Sequence, residues 1–324
     1  MQAIGLFSGG LDSALAIKLV QEQGIEVIAL NFVSPFCTCV GKGCSIVEMA
    51  KSLGVKIKLM NKGKDYLRIV RHPKFGYGKN MNPCIDCKIY ILRKAKQYAK
   101  KIGAKFIFTG EVLGQRPMSQ HYRTLMLIEE EAGLKGKLVR PLCAALLPPS
   151  KAEEKGWLDR EKLLKLQGRT RRPQLELAGK YKIDGFMCGG SGCRLTDKEY
   201  AGKLRDLFDH KKRIRVNDIK LLNLGRHFRY DGKKIVVGRN ESENEQLLKL
   251  KRKADLVFEV KEYVGPTTVL EGRGKKAEIM LAASLTARYS DAKGKVVVKY
   301  GKDKLDREIS VKPISDDEIK NIRI

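Results

Sequence analysis

The sequence predicts an α/β protein: a parallel sheet covered by helices on both faces, followed by a smaller α+β domain. Three observations carry this. Apolar strand-like runs alternate with helical stretches through the first half. A Gly-rich turn joins the first strand to the first helix. From about Lys211 the rhythm changes to short β-rich runs. Alternating strands and helices imply parallel pairing with helical crossovers. We therefore expect one domain over 1–210 and a second over 211–324.

In chain order, Ala3 to Phe7 reads as a buried strand and Ala14 to Val20 as a helix. Glu26 to Phe32 reads as a strand, Ser45 to Leu53 as a helix ended by Gly54, and Val55 to Met60 as a third strand. Ile85 to Ile102 is a long basic helix, stopped by Gly103. Lys105 to Thr109 is a strand, Ser119 to Glu131 a helix, and Gly136 to Pro141 a short strand. Residues 151–182 read as helical and basic, broken by Gly168 and Pro173. A Gly- and Cys-rich loop occupies 183–194. Beyond it, strands are expected at 228–230, 235–237, 256–260, 268–270 and 296–300, with helices at 242–253 and 276–289.

Ser8-Gly9-Gly10-Leu11-Asp12-Ser13 is the most informative segment. A strand–turn–helix junction presents backbone N–H groups and a positive helix end to an anion. The glycines allow close approach, and Ser8 and Ser13 offer hydroxyls. Asp12 cannot bind phosphate directly, so Mg²⁺ between them is the natural reading. The Gly-Lys-Ser/Thr ending of the common P-loop is missing. In parallel sheets ligands bind at the carboxyl ends of strands. That puts Asn31, Phe32, Gly110 and Glu111 beside the same nucleotide, and a family resemblance adds Gln115 to these candidates. Read as a plain structural feature, the segment is an ordinary capped helix start.

Composition narrows the partners. Lys and Arg number 65 against 37 Asp and Glu, a net charge of +28. Residues 211–324 hold 28 against 17, net +11, leaving +17 for the rest. A basic excess in both halves points to a polyanion, nucleic acid first. No apolar run reaches membrane-span length, and no signal peptide is visible, so a cytoplasmic, reduced setting without a membrane partner is expected. The oligomeric state is not legible.

Eight cysteines in such a setting are ligands, nucleophiles or core residues rather than disulfides. Cys84 and Cys87 open the long basic helix, and Cys188 and Cys193 follow in the later loop. Cys84 and Cys87 with one further loop cysteine give three thiolates that can hold a [4Fe–4S] cluster with one iron open, a sulfur-transfer site, or zinc, with inert thiols the plain alternative. Cys37, Cys39 and Cys44 form a second group that suits Zn²⁺, or free thiols in a loop. Cys143 reads as a core residue. The four histidines, His72, His121, His210 and His227, read as surface or RNA-contacting.

These motifs resemble known families. Ser8 to Ser13 resembles the PP-loop of ATP pyrophosphatases, which are HUP-like in fold and split ATP between the α- and β-phosphates. Asn82-Pro83-Cys84-Ile85-Asp86-Cys87-Lys88 is similar to the Cys-x-x-Cys segment of tRNA thiouridine synthases. Thr109 to Gln115, Ser119-Gln120 and Leu138 to Leu142 resemble 4-thiouridine synthases, while the 2-thiouridine synthases share the Asn-Pro-Cys segment and a late cysteine matched by Cys193. The resemblance implies adenylation of a uridine carbonyl oxygen with ATP·Mg²⁺, release of pyrophosphate, and displacement of AMP by sulfur, 4-thiouridine favoured. Asp12 would position Mg²⁺. Cys84, Cys87 and Cys193 would hold a sulfide-binding cluster, or Cys193 would carry a persulfide. The partners implied are tRNA and a sulfide or persulfide donor.

Bacterial and archaeal 4-thiouridine synthases carry N-terminal RNA-binding domains, including THUMP, whereas this sequence opens at the phosphate loop. The C-terminal half is expected to substitute. Val236 to Asn240, Glu243-Asn244, Asp255 to Phe258, Gly265-Pro266-Thr267, and Ala282 to Ser284 with Tyr289-Ser290 resemble the NFACT-R RNA-binding domain. Glu259 and Thr267 stand where that domain often has histidines. Arg239, Asn240, Lys211, Lys212 and Arg213 are the expected RNA contacts, with helix capping the plain alternative for Asn240. Two other functions compete: a PP-loop amidotransferase or ligase on another substrate, and a non-catalytic RNA-binding factor of ribosome quality control.

Overall fold

A computed structural model describes residues 1–37, 46–186 and 193–324. The chain divides into two compact units, Met1–Thr196 and Asp197–Ile324.

The first unit holds β1 (Gln2–Leu6), α1 (Leu11–Gln21), β2 (Glu26–Val33), α2 (Ile46–Ser52), β3 (Lys56–Asn61), α3 (Lys64–Arg71), α4 (Cys84–Ile102), β4 (Ile107–Thr109), α5 (Tyr122–Ala132), β5 (Leu138–Val139), α6 (Lys151–Glu154) and α7 (Arg172–Lys180). The strands form one sheet in the order β3-β2-β1-β4-β5, and every pairing is parallel. Side chains alternate across a strand, so β1 feeds two cores. Ala3 packs with α1 residues Leu15 and Leu19 and with Phe108. Ile4 packs on the other face with Leu92 and Ala95 of α4 and Ile128 of α5. This is the expected sheet covered on both faces. The strand order reverses between β1 and β4, so their carboxyl ends flank the crevice where ligands bind in such folds.

Residues 151–182 depart from the expected helix. Only Lys151–Glu154 and Arg172–Lys180 are α-helical, with a 3₁₀ turn at Arg160–Lys162. Gly156 and Gly168 take positive φ and break the run. Between them the chain lies along the end of the sheet, where Leu164 and Leu166 donate backbone N–H groups to Pro141 and Leu142 carbonyls (2.9 and 2.8 Å). α5 starts at Tyr122 rather than Ser119 because Gln120 closes a turn onto the Arg116 carbonyl (3.1 Å).

The second unit holds α8 (Lys198–His210), α9 (Val216–Leu221), β6 (Arg226–Tyr230), β7 (Lys233–Val237), α10 (Glu241–Leu250), β8 (Leu256–Val260), β9 (Thr268–Leu270), α11 (Lys276–Arg288), β10 (Val296–Gly301), β11 (Arg307–Val311) and α12 (Asp316–Ile322). Its strands form an antiparallel sheet ordered β11-β10-β8-β9-β7-β6. Ala282, Ala283 and Leu285 of α11 pack on Phe228, Ile235, Phe258 and Val298. On the opposite face Leu247 of α10 packs with Val236 and Val269. α8 clusters with this unit: Asp206 pairs with Arg229 at 2.5 Å and with Lys234 at 3.2 Å. Its buried stripe, Tyr200, Ala201, Leu204, Leu207 and Phe208, has helical spacing. α3, α8, α9, β11 and α12 are additions to the elements expected above.

His227 departs from its expected surface position. It is buried on β6, its Nε2 lies 2.7 Å from the Leu224 carbonyl, and burial holds its pKa well below the usual histidine range.

Candidate active site

Phe7 ends the β1 run, and the chain turns at Gly9, whose φ of +77° suits glycine. The turn is held by serines. Ser13 Oγ donates to the Gly10 carbonyl at 2.7 Å, and the Gly10 and Ser8 N–H groups point at the Ser8 and Ser13 hydroxyls at 3.3 Å. Gly10 caps α1 without a side-chain bond, so the first turn keeps its anion-binding character. Asn31, at the end of β2, donates to the Phe7 carbonyl at 2.8 Å and fixes the strand just before the turn. Gly110, at the end of β4, lies against the loop, and a Cβ there would come within 2.6 Å of Ser13 Cα. The loop and the β4 end thus form one crevice wall.

Asp12 supplies the charge. Its Oδ2 faces the Arg171 guanidinium at 3.5 Å, while its Oδ1 is buried without a partner. Such an oxygen is costly unless a cation takes it, so the residue fits Mg²⁺. Arg171 Nε is likewise buried and unpartnered. Sequence reading missed Arg171; the signal was the Arg169-Thr170-Arg171-Arg172 run ahead of α7.

Glu111 does not lie open to a nucleotide. It accepts from Arg140 Nε (2.9 Å) and Thr109 Oγ1 (3.1 Å), and it pairs with Lys88. Burial works against its charge, but Lys88 and Arg140 overcome this and hold its pKa down at about 2. Arg140 is itself fully buried, joining Glu111 to Glu129. Glu111 therefore braces the β4 end against β5 and α4, through Lys88, which lies one helical turn on from Cys84 and next to Cys87. Gln115 sits in the following turn, where its N–H donates to the Val112 carbonyl at 3.3 Å. Phe32, one residue on from Asn31, packs partly buried against the α4 side core. Cys143 is buried as expected and donates to the Glu111 carbonyl at 3.3 Å.

The cysteines converge from three places. Cys84 and Cys87 stand in the first turn of α4. Asp86 between them accepts the Lys74 and Phe75 N–H groups (2.9 and 3.0 Å), which folds 72–83 over the helix start. The Met81 N–H donates to the Leu195 carbonyl (3.0 Å), and Asn80 Nδ2 to that of Thr196 (2.7 Å). These bonds draw the segment carrying Cys193 onto the Cys84–Cys87 turn. Burial, then the charge of Cys87, pushes Cys84 up, and the same two causes push Cys193 to about 11. Lys62, just beyond β3, donates to Cys87 Sγ at 3.1 Å, and its Nζ lies 4.4 Å over the buried Tyr66 ring. Sequence reading missed Lys62 as well.

Partly exposed thiols drawn together at one helix start suit a cationic centre that binds them as thiolates. Among the described residues no three His, Cys, Asp or Glu side chains are gathered closely enough for a single metal ion. Of the second group, Cys39 and Cys44 lie outside the described residues, as does Cys188. Cys37 is described, and it pairs in an antiparallel bridge with Cys193.

In the second unit, Asn240 caps α10, accepting the Glu243 N–H at 3.0 Å. Arg239 pairs with Glu243, and Lys211 with Asp218 (3.1 Å) and Glu271. Lys212 and Arg213 are exposed. No described helix is long and apolar enough to cross a membrane.

Comparison with known proteins gives one family match in each unit. Residues 1–146 match the family described as Thiamine biosynthesis protein (ThiI), and residues 225–323 match the family described as NFACT protein RNA binding domain. A tRNA-specific 2-thiouridylase MnmA of Coxiella burnetii is 31% identical over 134 residues, 38% of this chain and 37% of that protein. A probable tRNA sulfurtransferase of Thermococcus kodakarensis is 27% identical over 150 residues, 44% of this chain and 36% of that protein. The chain thus spans just over a third of the length of these curated relatives. A solved 4-thiouridine synthetase–RNA complex with bound ATP aligns over 68% of this chain and 52% of that one, at 23% identity and a TM-score of 0.37. The U34-tRNA thiolase NcsA of Methanococcus maripaludis, solved with its [4Fe-4S] cluster, aligns over 68% and 69%, at 17% and 0.35. Residues 1–146 are a PP-loop segment of the ThiI type, and residues 225–323 are an RNA-binding domain of the NFACT type.

Proposed function

We propose that this protein thiolates tRNA at the expense of ATP: it adenylates a uridine carbonyl oxygen, releases pyrophosphate and replaces the oxygen with sulfur, giving 4-thiouridine in preference to 2-thiouridine. One observation carries the reading. The Ser8–Ser13 loop and the Cys84, Cys87 and Cys193 thiols stand at the same, carboxyl edge of one parallel sheet. An adenylating site needs the first; a sulfur-delivering site needs the second. The relatives named as thiouridylase and sulfurtransferase support the same chemistry. The NFACT-type domain and the net charge of +28 support an RNA substrate.

A uridine oxygen is a poor leaving group until it is esterified to phosphate. The loop N–H groups and the Ser8 and Ser13 hydroxyls would hold the phosphates, and the positive end of α1 would stabilise the departing pyrophosphate. Asp12 Oδ1 would hold Mg²⁺, which spreads the charge of the β- and γ-phosphates. Arg171 would lend a second cation. Cys84, Cys87 and Cys193 would hold a [4Fe–4S] cluster, which when bound offers an open iron for sulfide. Lys62 would hold Cys87 Sγ in place through its hydrogen bond. Lys212 and Arg213 would contact tRNA phosphates.

The test is the fate of ATP. Purified protein with ATP, Mg²⁺, sulfide and unmodified tRNA should release AMP and pyrophosphate in a tRNA-dependent manner. Release of ADP and phosphate, or AMP formation indifferent to tRNA, would refute the reading.

A further inference from the structure

We propose that Cys37 and Cys193 form a reversible dithiol–disulfide couple that withdraws Cys193 from the thiol site. Cys37 follows β2, and Cys193 lies across an antiparallel bridge from it. The register identifies which kind of pair this is. The Arg194 N–H donates to the Phe36 carbonyl at 3.0 Å, so the residues flanking the pair, not the pair itself, make the ladder bond. Cys37 and Cys193 therefore occupy a non-hydrogen-bonded position. There the Cα atoms stand about 4.5 Å apart and the side chains leave the same face. Disulfides span roughly 4.4–6.8 Å between Cα atoms, so the two sulfurs can join without moving the backbone.

Neither cysteine is sealed off. Both are partly exposed, in contrast to the buried Cys143, and both are free thiols in the described structure. The Met81 and Asn80 hydrogen bonds to Leu195 and Thr196 also draw Cys193 onto the Cys84–Cys87 turn. One group thus belongs to two sets: the three-thiol site, and a cross-strand pair the sequence did not reveal. Closing the pair releases two electrons and two protons. A small-molecule disulfide such as oxidised glutathione accepts them and leaves as two thiols, through a mixed disulfide on one of the cysteines. Once linked, Cys193 can neither bind iron nor carry sulfane sulfur. That consequence rests on the function proposed above; the link itself does not.

The experiment uses the full-length protein equilibrated anaerobically in glutathione buffers of increasing oxidised fraction, then acid-quenched, alkylated and mapped by peptide mass spectrometry. The expected result is one intramolecular link, Cys37 to Cys193, with maleimide labelling of Cys193 falling at least tenfold. In Cys37→Ser, Cys193 should keep its labelling or carry glutathione. Cys143→Ser should keep the link, showing that it does not follow from loosened packing. Cys193 joined to Cys84, Cys87 or any other cysteine, or left free at every buffer ratio, would overturn the proposal. Because the readout is a covalent bond, its outcome is independent of whether the protein thiolates tRNA.

Discussion

Asp12 turns one carboxylate oxygen toward the Arg171 guanidinium, 3.5 Å away, and keeps the other buried without a protein partner. A half-satisfied buried carboxylate is unfavourable on its own, and its cost is repaid only when a cation arrives. Asp12→Ala should therefore lower pyrophosphate release by at least about a hundredfold, the scale of losing one preorganised electrostatic group. It should also remove the dependence of ATP binding on Mg²⁺, measurable by calorimetry at fixed ATP. Thermal stability should change little or rise, since the variant deletes an unsatisfied group.

Arg171 offers a contrasting variant. If its guanidinium reaches ATP oxygens, Arg171→Ala should weaken ATP binding by about tenfold, as expected for one charge-assisted bond. The Mg²⁺ dependence should survive. Equal loss of both in the two variants would mean that Arg171 acts only by holding Asp12.

The Glu111–Arg140 pair should reveal itself in acid. Neighbouring cations hold Glu111 at about 2 against an ordinary value of 4.5. A depressed carboxyl contributes stability that is full above its unfolded pKa and is lost as pH falls toward the folded one. Between about pH 4.5 and 2 this single group accounts for roughly 3 kcal/mol, at about 1.4 kcal/mol per unit. Glu111→Gln should flatten that part of the stability curve, measured by urea unfolding. Arg140→Leu should cost about 3–5 kcal/mol near neutral pH, because it strands Glu111 and Glu129 without their buried cation.

Capping and RNA contact separate in the second unit. Asn240 holds the Glu243 N–H, so Asn240→Ala should lower stability by about 1 kcal/mol and leave RNA affinity nearly unchanged. Lys212→Ala and Arg213→Ala should do the opposite: stability within about 0.5 kcal/mol of the parent, and a shallower salt dependence of RNA binding by about one unit of slope each. Filter binding across a salt series checks both.

Much of the first unit was legible because its signals are local. The apolar run of β1, the Gly-Gly turn and the long Cys84–Ile102 helix ending at a left-handed Gly103 declare themselves within a few residues. The Ser8–Ser13 loop came out in its expected place for the same reason. What escaped depended on distant partners. Glu111 looked like a ligand residue until Arg140 and Lys88 closed around it. Residues 155–171 have helix-forming composition, but Leu164, Leu166 and Gly168 donate backbone N–H groups to the Pro141, Leu142 and Leu113 carbonyls, which keeps that part of the run out of a helix. Cys37 reads with Cys39 and Cys44 by spacing, whereas strand pairing sets it beside Cys193. Arg171 and Lys62 carry no motif; only the fold shows one facing Asp12 and the other facing Cys87.

The most direct measurement is chromatographic nucleoside analysis of unmodified tRNA after anaerobic incubation with reconstituted protein, ATP, Mg²⁺ and sulfide. The account predicts a thiouridine peak at the retention of 4-thiouridine, absent with Asp12→Ala and with Cys87→Ala. No thiolated nucleoside, from protein shown in the same samples to bind ATP and tRNA, would contradict it.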